Sequence, residues 1–186
     1  MAENYWEGFR WMNEPGSWSF EQNSLRLLTD GETDFWRVTE HDFIQDNGHF
    51  FFREVPGTFD VLLRFSGTYR DLYDQAGLML RVNETNWIKA GIEWVDGLPK
   101  ASVVVTRDFS DWSIRDLPET PANFWIRARR GRDHVELSYS TDALRFEMLR
   151  VAYFPPATSL QVGPMAASPK GRGFEVSFDP PSFPEG

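Results

Sequence analysis

Phe59, Val61, Leu63 and Phe65 fall on one face of an extended segment, while Asp60, Arg64 and Ser66 fall on the other. Alternation with period two requires a strand with one buried face. The pattern recurs near Leu25–Leu28, His49–Arg53, Ala101–Arg107, Phe124–Arg130, Val135–Tyr139, Phe146–Arg150, Leu160–Met165 and Phe174–Phe178. Between these segments stand Asp30-Gly31, Asn47-Gly48, Pro56-Gly57, Asp96-Gly97, Gly131-Arg132-Asp133 and Pro155-Pro156. Such residues supply the conformations that reverse a chain. No long helical stripe competes with the alternation, so the expected fold is all-β, a jelly-roll-like sandwich of two antiparallel sheets.

A chain of 186 residues, 41% hydrophobic and 16% aromatic, has material for one packed core and would make two thin ones. One domain over residues 1–186 is therefore expected. Residues 1–15, with Trp6, Phe9 and Trp11, are too aromatic for a free tail and should pack on the sandwich. The proline-rich end DPPSFPEG, residues 179–186, should fray after the last strand.

A net charge of -9 from 19 basic and 28 acidic residues works against attraction to nucleic acid or to an anionic membrane. The N-terminal sequence has no basic stretch followed by an apolar one, and no apolar run nears the roughly 20 residues needed to cross a bilayer. These features predict a cytoplasmic protein with neither nucleic acid nor membrane as partner. Absence of cysteine excludes disulfides, thiolate nucleophiles and Cys-based zinc sites. His41, His49 and His134 lack metal-binding spacing, so no metal and no cofactor is implied.

The stretch YDQAGLMLRVNETNWIKAGIEW, Tyr73 to Trp94, carries the most chemistry. Strands over about Asp74–Val82 and Trp87–Val95 place Gln75, Gly77, Met79 and Arg81 on one face, and Trp87, Lys89, Gly91 and Glu93 on the matching one. The opposite faces are aliphatic and belong in the core. A connecting loop of odd length keeps the two polar sets together. Glycine inside a strand is kept where something approaches the backbone closely. One reading is a groove floor whose Gln75, Lys89 and Glu93 meet a hydroxyl-bearing ligand. Another is a solvated cross-strand charge network with glycine bends.

Two other segments add candidates. SVVVTRDFSDWS, Ser102 to Ser113, ends in Asp111 and Trp112, a hydrogen-bonding and stacking pair, or else an Asx-turn beside a core aromatic. In TDFWRVTEHDFIQDNGHFFF, Thr33 to Phe52, most phenylalanines must be core, which leaves Trp36 and its polar neighbours.

TDFWRVT with DNGHF, LYDQAGLMLR with WIKAGIEW, and SVVVT with SDWS occur in that order, followed by VGPMAASPKGRGFEVSF, Val162 to Phe178. Together they resemble a family of concanavalin A-like proteins best known as regulation-of-enolase proteins, over most of the chain. The resemblance implies a lectin/glucanase-type jelly roll with two curved antiparallel sheets and a concave face that holds sugars in related superfamilies. It implies no reaction. Carried over residue by residue, it marks Asp34, Trp36, Asp74, Gln75, Lys89, Glu93, Thr106, Ser110, Asp111 and Trp112 as a candidate ligand groove. AASPKG here has no cysteine, so no thiol function applies.

Three functions compete. The first is a non-catalytic, lectin-like domain binding a saccharide or other small polyhydroxylated ligand. The second is a regulatory domain contacting a protein, such as a metabolic enzyme. The third, a glycoside hydrolase, needs two carboxyls at a fixed separation; the glucanase E-x-D-x-E run is absent, and no catalytic residue is assigned. On the groove reading, Lys89→Met with Glu93→Gln should remove ligand binding without unfolding.

Overall fold

Sixteen strands lie among residues 5–184, the residues described in a computed structural model of the chain. They are β1 (Arg10–Met12), β2 (Ser17–Glu21), β3 (Ser24–Leu28), β4 (Phe35–Arg37), β5 (Ile44–Asp46), β6 (His49–Pro56), β7 (Phe59–Gly67) and β8 (Gln75–Asn83). There follow β9 (Asn86–Val95), β10 (Leu98–Arg107), β11 (Phe109–Asp116), β12 (Phe124–Arg130), β13 (His134–Ser140), β14 (Glu147–Tyr153), β15 (Ser159–Ala167) and β16 (Glu175–Phe178). Fourteen form two seven-stranded sheets: sheet I in the order β1-β6-β15-β8-β9-β10-β11, and sheet II in the order β14-β13-β12-β7-β16-β3-β2. Every strand pair is antiparallel, and β4 with β5 forms a separate hairpin. No helix among the described residues is long and apolar enough to cross a membrane.

The alternating apolar residues meet between the sheets. Val61, Leu63 and Phe65 of β7 pack with Leu78, Leu80, Ile88, Val103, Phe124, Ile126 and Phe178. Each large side chain so buried contributes about 1.5–3 kcal/mol. Trp6 is buried in this core and Phe9 and Trp11 pack against it, so the aromatic N-terminal segment closes one edge of the sandwich; residues 1–4 lie outside the described residues.

At the other terminus the expectation of fraying fails for residues 179–184. Asp179 N–H donates to Arg64 O at 2.9 Å, and Ser182 and Leu62 exchange both backbone hydrogen bonds at 2.9 Å. Phe183 then packs beside Phe59. The segment is held because β7 offers backbone partners past the end of β16, which proline content alone does not reveal.

The connection between β8 and β9 also differs from expectation. It is the two-residue turn Glu84-Thr85, an even loop, which alone would turn one apolar set outward. A register shift between Arg81 and Asn83 corrects this, so that Arg81 still pairs with Trp87 and Gln75 with Glu93. The bulge inserts the one residue that restores both polar sets to the same face.

Candidate functional site

That shared face of sheet I is not left to solvent. The β4–β5 hairpin lies over it and makes a second apolar core, in which Phe35 and Trp36 pack with Phe50, Phe52, Met79, Trp87, Val104 and Met165. With both faces covered, neighbouring residues of one strand are buried together: Phe50, Phe51 and Phe52 are all inside. The turn of residues 38–43 holds Val38, Glu40 and Asp42 at φ values of 62, 68 and 54°. For a β-branched valine that is strained backbone, and the hydrogen bond from Val38 N–H to Phe43 O at 2.7 Å closes it.

Most of the candidate polar groups hold this hairpin down. Lys89 Nζ donates to Asp34 Oδ1 at 3.1 Å, Phe35 O at 2.7 Å and Gln75 Oε1 at 2.6 Å. An ammonium has three protons, so Lys89 is saturated. The Gln75 amide nitrogen donates to Asp34 Oδ1 at 3.2 Å and to Tyr73 O at 3.1 Å. Arg81 and Asp46 make a two-pronged ion pair, both contacts 2.7 Å. Ser110 Oγ, itself 2.8 Å from Thr106 Oγ1, accepts the Arg37 backbone N–H at 2.9 Å. Sequence reasoning placed Asp34, Gln75, Lys89, Thr106 and Ser110 in a groove; in the structure Asp34 Oδ1, Gln75, Lys89 and Ser110 form hydrogen bonds beneath the hairpin, and Thr106 bonds to Ser110. The Lys89 contacts beneath the hairpin give a reason for Lys89→Met with Glu93→Gln to lower stability as well as any ligand binding.

Three further candidates lie elsewhere. Trp36 buries its ring in the second core and donates Nε1–H to Thr39 O at 2.9 Å. Asp74 is fully buried: Oδ1 accepts Ser168 Oγ–H at 2.6 Å and Oδ2 accepts the Arg70 and Asp71 amides, each at 2.9 Å. It organises its own loop. Asp111 alternates with Ser110 and Trp112 on an edge strand, so it is exposed on the opposite face of sheet I.

Glu93 and Trp112 remain, with two residues that sequence reasoning missed. Ser102 Oγ–H donates to Glu93 Oε2 at 2.7 Å and Trp112 Nε1–H to the same oxygen at 2.8 Å. Both donors therefore use Oε2, and Oε1 has no partner among the described residues although it is not sealed off. Tyr73 meets Trp112 edge to face, ring centroids 6.2 Å apart. Burial pushes the Glu93 carboxyl above the usual glutamate range, with Lys89, Ser102 and Trp112 opposing the rise. Burial likewise raises the Tyr73 phenol, and the Glu93, Asp96, Glu40 and Asp34 charges add to it. Ser102 was within reach of sequence reasoning: a two-residue Asp96-Gly97 turn pairs Ser102 with Gly91, two residue pairs from Glu93 and Lys100 and so on the same face. Tyr73 stands before the strand begins and carries no periodic signal.

Gly77 and Gly91 face each other across β8 and β9. A Cβ on Gly77 would strike the Ala90 carbonyl, and one on Gly91 the Ala76 carbonyl. What approaches these glycines is therefore the neighbouring strand. The recess above them, lined by Gln75, Lys89, Glu93, Ser102 and Met165, has a volume of about 10 Å³, enough for one water or one hydroxyl group.

Residues 11–185 match a family described as protein of unknown function (DUF1349). A Saccharomyces cerevisiae relative, "Regulation of enolase protein 1", is 39% identical over 168 residues, which are 90% of this chain and 85% of the relative. The crystal structure of a functionally unknown protein from Saccharomyces cerevisiae superposes with a TM-score of 0.93 at 37% identity, covering 97% of this chain and 99% of that one. Two more distant matches share the fold alone. The GH43 protein BlXynB from Bacillus licheniformis has a TM-score of 0.74 at 14% identity, over 97% of this chain and 38% of that one. Carbohydrate-binding module CBM66 from Bacillus subtilis has a TM-score of 0.59 at 11% identity, over 94% of this chain and 95% of the module. The architecture is the expected concanavalin A-like β-sandwich.

Proposed function

This chain belongs to the DUF1349 family, and we propose that it is a non-catalytic binding domain for a small polyhydroxylated ligand, a saccharide, held at the Glu93 corner of sheet I. The observation that carries this reading is Glu93 Oε1, an acceptor without a partner among the described residues, beside a recess of hydroxyl size. A ligand hydroxyl entering the recess donates to Oε1. The sugar ring stays outside, against the exposed parts of Trp112 and Tyr73, because rings present apolar faces to aromatic side chains.

Glycoside hydrolysis fits the corner less well, since the reaction needs a second carboxyl across the scissile bond. Asp34 is engaged with Lys89, Asp74 holds its own loop and Asp111 faces away. A thermal-shift screen against mono- and oligosaccharides and sugar phosphates, repeated on Glu93→Gln, tests the proposal. The expected result is a sugar that raises the wild-type melting temperature and raises that of the variant less. A screen without a hit, or a hit indifferent to the variant, would overturn it.

A second reading, a regulatory domain that contacts a metabolic enzyme, draws on the relative's name and on exposed aromatic surface along β2. Trp18 is 36% and Phe20 46% exposed, and aromatic side chains of this kind anchor protein interfaces. Sedimentation with purified enolase tests it: a complex weakened by Phe20→Ser supports this reading, and free sedimentation of both proteins removes it.

A further inference from the structure

A far larger recess lies on the outer face of sheet II. Its volume is about 710 Å³, within the range of about 300–1,000 Å³ typical of ligand sites. The strand order β7-β16-β3-β2 and the registers between them give its floor. Ser66 pairs with Ser177, Ser177 with Arg26, and Arg26 with Ser19, making one row across four strands. Two residues along each strand lies a second row, in which Glu175 pairs with Leu28 and Leu28 with Ser17. The connection from β11 to β12 raises a wall carrying Thr120, Pro121 and Ala122, and Trp18 borders the groove from β2.

The hydroxyls on this floor are uncommitted. Among the described residues, those of Ser17, Ser19, Ser66 and Ser177 have no hydrogen-bond partner. Charge is nearly balanced: Arg26 pairs with Glu21 at 3.0 Å, which leaves Glu175 as the lining charge without an ion pair among the described residues. Each serine hydroxyl both donates and accepts, so the array can answer hydroxyl groups in any orientation. At the usual spacing of about 4.7–4.9 Å between strands, the row from Ser66 to Ser19 extends over three such steps, which suits a chain of rings better than a single one.

From these observations we propose that the sheet II groove binds a linear, neutral oligosaccharide. An anionic ligand would find no free cation on the floor. A peptide adding as a strand would pair at the free edge of β2 rather than on the groove floor, because the backbone groups of β3 and β16 are already paired on both sides within the sheet. This site is independent of the Glu93 corner, which lies on the other sheet.

Calorimetric titration with cellohexaose, xylohexaose and laminarihexaose tests the proposal on four proteins: wild type, Ser66→Ala/Ser177→Ala, Ala122→Trp and Glu93→Gln. At least one hexasaccharide should bind. The double serine variant should bind it roughly tenfold more weakly, as expected for two lost hydrogen bonds, with an unchanged melting temperature because those hydroxyls hold nothing in the fold. Ala122→Trp should block the groove, and Glu93→Gln should bind as wild type does. No binding of any of the three would overturn the proposal, as would binding untouched by the groove variants. Loss of binding in Glu93→Gln alone would assign the sugar to sheet I.

Discussion

The outer faces of the two sheets both carry polar side chains, and they differ in where the hydrogen bonds of those side chains go. On sheet I, Lys89, Gln75 and Asp34 bond to one another and Arg81 bonds to Asp46 of the β4–β5 hairpin, and the recess that remains is about 10 Å³. On sheet II, Ser66, Ser177, Ser19 and Ser17 line about 710 Å³ with hydroxyls that have no partner among the described residues. Charged residues marked a structural network and plain serines an open surface. Residue type on a strand face therefore says less about binding than whether the donors and acceptors are already satisfied.

The sharpest way to break this contrast is at Lys89. Lys89→Met leaves Asp34 and the Gln75 oxygen buried without their cation, and removal of one member of a buried pair costs about 3–5 kcal/mol. Urea denaturation should show a loss of that order, against no measurable loss for Ser66→Ala/Ser177→Ala. Equal stability of the two variants would erase the distinction.

Gly91→Ala comes next. Its added Cβ meets the Ala76 carbonyl, and overpacking of this kind costs about 1–3 kcal/mol. If the glycine were kept for a ligand, the substitution would reduce sugar binding and leave the unfolding midpoint in place.

The smallest effect concerns Glu93. Its folded-state pKa is raised by burial, so the folded protein favours the protonated carboxyl. That contribution is fully present below the unfolded value of about 4.3 and is lost as pH rises through the higher folded value. Melting temperatures from pH 4 to pH 7 should therefore show Glu93→Gln gaining on wild type with rising pH. A constant difference would mean that burial does not weigh on this carboxylate.

Much of the fold was legible because alternation and turn chemistry agree. Phe59 to Phe65 became β7, and the Asp96-Gly97 turn, with φ of 53 and 76°, joins β9 to β10 in the register that sets Gly91 beside Ser102. The covering hairpin was not legible. Its strands are three residues each, too short for a period to emerge, and its anchors are 35 to 73 residues apart in the chain, from Asp46–Arg81 to Arg37–Ser110. Consequently the polar face of β8 and β9 could be derived from sequence, but not its lid. The serines of sheet II went unremarked because a small polar residue on an outer strand face is ordinary; only the cross-strand register gathers Ser19, Ser177 and Ser66 into one row.

Lys89 pins the β4–β5 hairpin to sheet I through Asp34 and the Phe35 carbonyl. Native-state hydrogen exchange of the hairpin amides, Phe35 to Arg37 and Ile44 to Asp46, compared between wild type and Lys89→Met, tests it most directly. The claim predicts that protection drops in the hairpin while amides of β7 and β12, in the core between the sheets, stay protected relative to it. Unchanged hairpin protection in a variant of wild-type stability would contradict the claim, and would return Lys89 to the role of a free group at a ligand site.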